Sequence, residues 1–246
     1  AYELMPSLVG SEMCIRDSVS SDWYALVHTP VPIQKALKHA KGKEALNKEW
    51  NKLSGERQCW DLRTVREKAD VRAQSEKDKI IRHFGDLMQL CHIKHSELAE
   101  HLQSWKGRVV FRGDNVKDAE GYLAVFSEQG TSASNQAAAK FLDAISRMPG
   151  NDGEDADATG AYTQSELGGP ESWISLPRNQ WPSSWHGKYT NPVVKLTKSL
   201  YGHPLAGLYW EKHCRKGILA CGFQPVPGWE CPVSYTHLTL PTTPYV

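Results

Sequence analysis

The residues most able to do chemistry lie in Asp157-Ala158-Thr159-Gly160-Ala161-Tyr162: an acid beyond a Gly/Asp-rich turn, four small residues, then an aromatic. Taken alone, such an aspartate is ordinarily a solvated turn residue, held by local hydrogen bonds. Two cations, Lys106 and Arg108, open the strand-like run Arg108-Val109-Val110-Phe111-Arg112; on charge pattern they read equally as a solvated strand end. Cys91, His92 and His95, with His83, group metal-ligand types, but without Cys/His knuckle spacing they read as helix surface and core. Trp173, Trp181, Trp185, Tyr189 and Lys188 could stack single-stranded bases, although clustered aromatics more commonly fill a core. There is no Gly-x-x-x-x-Gly-Lys phosphate loop and no Gly-x-Ser-x-Gly elbow.

Composition narrows the class. With 40% hydrophobic residues and a net charge of +1 over 246 residues, the chain can bury a core and is no histone-like polycation. No run of 18 apolar residues suits a membrane span. Six cysteines without a CxxC pair read as free thiols of a reducing compartment. Both ends have a nucleotide signature. Met13-Cys14-Ile15-Arg16-Asp17 can be written in codons whose reverse complement translates as Val233-Ser234-Tyr235-Thr236-His237. Such an inverted repeat is a property of DNA, and both flanks resemble translated sequencing adapters. Residues 1–18 and 233–246 are therefore expected to be adapter-derived and to lie outside the fold.

The elements that must position these residues follow from periodicity. A helix is expected over 33–53, with a break at Gly42, followed by a short apolar stretch at 58–62. Ile80, Ile81, Phe84, Leu87, Met88 and Cys91 recur at helical spacing and predict a second helix within the charged stretch 64–104. A strand is expected over 108–112, closed by Gly113-Asp114-Asn115, then a helix over 132–148 broken at Gly150. Beyond it come β-rich segments at 155–162, 172–176 and 192–196, and a last helix at 210–219. The class is α/β (α+β), with a helical N-terminal region.

In this order and spacing the segments resemble the reverse transcriptase of copia-type LTR retrotransposons. Asp157-Ala158 through Ala161-Tyr162 to Leu167 keeps the register of that family's first palm motif, Asp-Val-x-x-Ala-Phe-Leu-x-Gly-x-Leu. Lys195 to Gly202, ending in Lys198-Ser199-Leu200-Tyr201-Gly202, is similar to its Lys-x-Leu-x-Lys-Ser-Leu-Tyr-Gly segment. Residues 105–113 resemble its Lys-Ala-Arg-Leu-Val-Ala-x-Gly fingers motif. Ala45 to Trp50 with Trp60-Asp61-Leu62 fits the opening of the domain. The likeness covers about 33–232 and is weak over 65–104.

The resemblance implies a partial right-hand polymerase, with an N-terminal and fingers region at 19–150 and an incomplete palm at 151–232. It implies RNA-directed DNA polymerase activity by two-Mg²⁺ nucleotidyl transfer, with Asp157 as the first metal carboxylate. Lys106 and Arg108 would meet triphosphate oxygens, Gly160 and Ala161 would admit the nucleotide closely, and Tyr162 would exclude a ribose 2′-hydroxyl. Implied partners are an RNA or DNA template-primer, deoxynucleoside triphosphates, and the integrase and ribonuclease H of the polyprotein. The implied setting is the cytoplasm or a virus-like particle, with the nucleus as an alternative.

The sequence also departs from the family. It holds no Asp-Asp pair for the Tyr-x-Asp-Asp hairpin, so this chain by itself is expected to be inactive. Where the family continues Leu-Lys-Gln-Ala-Pro-Arg, it reads His203-Pro204-Leu205-Ala206-Gly207-Leu208. Two other readings are a non-catalytic nucleic-acid-binding or interaction protein derived from a retroelement, and a decayed product without function.

Overall fold

The computed structural model describes residues 28–126, 136–151, 158–225 and, for the backbone, 233–235. They form a mixed α/β structure in two compact units, one made of the described residues within 46–89 and 108–246 and the other of those within 28–45 and 90–107. The helix at Ala40–Asn51 and the strands at Arg82–Lys94 and Ser104–Phe111 have residues in both.

The larger unit is built on a mixed sheet. β2 (Trp60–Glu67) runs antiparallel to β6 (Pro192–Leu196), β6 antiparallel to β5 (Glu171–Ser175), and β5 parallel to the first half of β3 (Arg82–Lys94), which also pairs β4 (Ser104–Phe111). Ser172, Trp173 and Ile174 are buried in succession, the mark of a strand covered on both faces. Pro192 opens its strand, the position where a missing N–H does least harm to a ladder. Between Asp61 and Arg66 the register of β2 slips. There the Thr64 hydroxyl accepts the Lys195 N–H at 2.9 Å and donates to the Asp61 carbonyl at 2.6 Å. A side chain thus satisfies groups that the irregular ladder leaves over.

Glu171 stitches three strands together. Its carboxylate accepts from Arg82 Nε of β3 at 2.9 Å and from Lys195 Nζ of β6 at 2.6 Å. Burial raises its pKa, but these two hydrogen bonds outweigh burial and hold it at about 2.

Helices cover the sheet. α3 (Lys68–Asp78) buries Val71 and Ser75, one turn apart, and Val71 packs with Phe84, Trp173 and Val193. α2 (Ala40–Asn51) brings Trp50 into the main core, and a π-helical turn at Lys52–Glu56 adds Leu53. There they meet Trp60, Phe111, Ile174 and Val194. α4 (Gln136–Ser146) and α5 (Ala206–Ala220) are further α-helices of this unit. In the smaller unit, β1 (His28–Val31) pairs with residues 91–94 of β3, and α1 (Ile33–Lys38) precedes α2.

Several expectations stand corrected. Most of the stripe from Ile80 to Cys91 is strand β3 and no helix: Phe84 and Leu87 are buried on the strand, whereas Ile80 and Ile81 precede it and are exposed. Partners on both sides of the strand override a helical spacing that six apolar residues meet by coincidence. The helix of the charged stretch is α3 instead. Cys91 and His92 accordingly lie on a strand and His95 in the turn after it, with φ of 56°. The break expected at Gly42 falls at His39, whose backbone is extended (φ −97°, ψ 130°) and whose ring stacks on Trp105 at 4.4 Å. Residues 158–164 form a turn, where a β-rich segment was expected. Separately, the backbone of Val233–Tyr235 (β8) pairs antiparallel with β7 (Phe223–Pro225).

Candidate functional site

Within the larger unit the chain brings three separated segments together. The first is the turn at 158–164. Gly160 adopts the left-handed conformation (φ 65°, ψ 43°), which glycine takes without steric cost. Its carbonyl accepts from Thr163 N at 3.0 Å and from Thr163 Oγ1 at 2.7 Å. Ala161 N bonds the Ala158 carbonyl, and Ser165 closes onto Tyr162 O with both its N–H and its hydroxyl. These local bonds favour a single-turn 3₁₀ helix, Ala161–Gln164, over an extended strand.

The second segment, Thr197 to Gly202, holds that turn from beneath. Ser199 N donates to Ser165 O and Leu167 N to Thr197 O, each at 3.0 Å, while the Cys59 carbonyl accepts from Thr197 N and Lys198 N. Burial pushes the Cys59 thiol up to about 12, so it is an unreactive core residue.

The third is the end of β4. Phe111 N donates to Tyr201 O at 2.8 Å, and a Cβ on Gly202 would run into the Phe111 carbonyl. Gly202 also has φ of 89°, so this junction requires glycine twice over. Side chains then line up on the solvent side. The Tyr162 and Tyr201 rings lie 4.7 Å apart, and the Arg108 guanidinium sits 5.9 Å from the centre of the Tyr201 ring. Arg57 Nη2 donates to Thr159 O at 3.3 Å and, with Lys52 Nζ, lies within about 4 Å of the space beside Gly160. The half-buried aromatic pair with Arg108 over one ring, next to a glycine turn flanked by Arg57 and Lys52, offers ring faces for stacking and cations for an anionic group.

The residues singled out from sequence divide as follows. Gly160, Ala161, Tyr162 and Arg108 gather around Tyr201. Lys106 is exposed on β4 in the smaller unit. Asp157 lies outside the described residues. Among the described residues no group of three or more His, Cys, Asp or Glu side chains could hold a metal ion. Of the described carboxylates of the sheet, Asp61 pairs with Arg63 and Glu171 with Arg82 and Lys195, while Glu67 accepts the Thr190 and Asn191 N–H groups and Asp86 accepts from Asn115 Nδ2 at 3.3 Å. The aromatic cluster fills the core: Trp173 and Trp185 are buried, and Trp181 and Tyr189 pack against the main cluster. Tyr201 stands in the motif-like segment 195–202, whereas Lys52 and Arg57 carry no such mark in the sequence. The two cations lie about a hundred residues before the turn, and only the fold brings them to it.

His203 also changes character. It is buried, 5% exposed, and its pKa falls to about 4 through burial, with a smaller contribution from repulsion by His83. No family model, curated protein or solved structure matches the chain. No helix among the described residues is long and apolar enough to cross a membrane.

Proposed function

We propose that the chain is part of a copia-type reverse transcriptase, and that the 158–164 turn, Tyr201 and Arg108 face its incoming deoxynucleoside triphosphate. The observation that carries this reading is convergence. Three segments picked out for their likeness to one family, far apart in sequence, meet through main-chain hydrogen bonds and one aromatic–cation row. In this reading Arg108, Arg57 and Lys52 neutralise phosphate oxygens. The Tyr162 ring, braced by Tyr201, limits room beside the sugar and so discriminates against a 2′-hydroxyl. Asp157, Mg²⁺, a template-primer and the other enzymes of the polyprotein belong to the same proposal.

The test is primer extension with a protein continued along its source reading frame past residue 232, beside the Asp157→Asn variant. Template-dependent incorporation that collapses in the variant supports the reading. Equal activity in both removes Asp157 from the chemistry, and no incorporation by the unaltered protein with any divalent cation removes the polymerase reading.

A further inference from the structure

His203 follows Gly202 where the resembling family continues differently, and both its ring nitrogens are engaged. Leu205 N–H points at Nδ1 at 3.1 Å, and Nε2 lies 3.3 Å from Ser172 Oγ. A backbone N–H only donates, so Nδ1 must be the bare nitrogen, and Nε2 carries the hydrogen and donates to the serine hydroxyl. The ring has little freedom to turn: Phe111 lies 4.7 Å from it and Phe126 6.0 Å, centre to centre.

What that nitrogen holds reaches the site on two sides. Leu205, itself buried, is the residue from which α5 starts. α5 packs against the Ala161–Gln164 turn, and its Tyr209 ring fills the space beside Gly168 so closely that a Cβ there would come within 2.6 Å. In the other direction, two residues back, Tyr201 meets Tyr162 and Arg108. The Nδ1 bond therefore joins the backbone bonds from His203 N to Leu200 O and from Ala206 N to His203 O, each 3.0 Å, in holding the start of α5 to the strap that carries Tyr201.

We infer that His203 is a positioning residue for the nucleotide site, its Nδ1 lone pair locking the Tyr201–Leu205 strap so that Tyr201 is presented to Tyr162 and Arg108. The inference rests on the nucleotide reading above. It also gives a structural role to a residue that departs from the family pattern. The acceptor is specific. An asparagine carbonyl two residues before an N–H makes the same bond in an Asx turn, whereas leucine fills the volume and offers no acceptor.

The experiment measures binding of a fluorescent deoxyadenosine triphosphate analogue to the whole chain and to its His203→Asn and His203→Leu variants, with thermal unfolding recorded for each. His203→Asn is expected to bind within about threefold of the unaltered chain and His203→Leu about tenfold more weakly, the order of one lost buried hydrogen bond. Equal binding by the two folded variants would overturn the inference and leave the nucleotide reading standing. No binding by the unaltered chain would overturn both. Should His203→Leu fail to fold, ring ¹⁵N spectra of the unaltered chain at neutral pH decide. A bare Nδ1 and protonated Nε2 support the lock, and the opposite tautomer overturns it.

Discussion

Gly202 and Tyr162 carry the sharpest expectations at the scale of single residues. Any side chain at Gly202 meets the Phe111 carbonyl and must also adopt φ near 89°. Gly202→Ala is therefore expected to cost at least ~2 kcal/mol, read as a lowered urea midpoint with unchanged slope. A loss below a few tenths of a kcal/mol would mean that the strap can leave β4 freely. Tyr162 is only partly buried, so shortening it changes the site more than the core. With Tyr162→Val, competition between deoxy- and ribonucleoside triphosphates should shift at least several-fold toward the ribonucleotide. Unchanged discrimination would remove the ring from the sugar's path.

At the scale of elements, β5 lies between β3 and β6 in the larger unit. Ile174 is fully buried between β3 and β6, and Ile174→Ala should cost about 2–5 kcal/mol by calorimetry or urea unfolding. Exposed Ile81, on the same sequence criterion equally apolar, should tolerate alanine within about 0.5 kcal/mol. That contrast marks what the sequence could and could not reveal. Pro192–Leu196 is legible because β-branched residues and a leading proline admit one reading, and α5 because its apolar spacing coincides with a real helix. β3 was misread because the spacing of Phe84, Leu87 and Cys91 is indifferent to the partners that decide the matter, and those partners lie far away in sequence. The site follows the same rule. Arg108 and Tyr162 stand in motifs whose residue types show, whereas Arg57 and Lys52 sit in a π-helical turn and just after it, with no local mark.

At the scale of the molecule, buried histidines predict an acid-sensitive fold. Burial, aided by His83, brings His203 down to about 4, so between 6.5 and 4 the unfolded chain binds a proton that the folded chain refuses. Stability is then complete above about 6.5 and declines as pH falls toward 4, by roughly 3 kcal/mol for this residue. His83, lowered by burial against the opposing pull of Asp118, acts in the same direction. Glu171, held at about 2, keeps its ion pairs through this range, and its contribution fades only between about 4.5 and 2. Urea midpoints from pH 7.5 to 4 should therefore fall, and His203→Asn should flatten the upper part of the curve; a flat profile for the unaltered chain would contradict the buried neutral imidazole.

The central claim is that three separated segments build one nucleotide site, and photo-crosslinking addresses it most directly. An azido-deoxyadenosine triphosphate, irradiated with the whole chain and mapped by peptide mass spectrometry, is predicted to label peptides carrying Tyr162 and Tyr201. Excess unlabelled deoxynucleotide should abolish the labelling, and Arg108→Ala should reduce it several-fold. Labelling confined to residues 28–45 and 90–107, or labelling indifferent to both competitor and Arg108→Ala, would contradict the account.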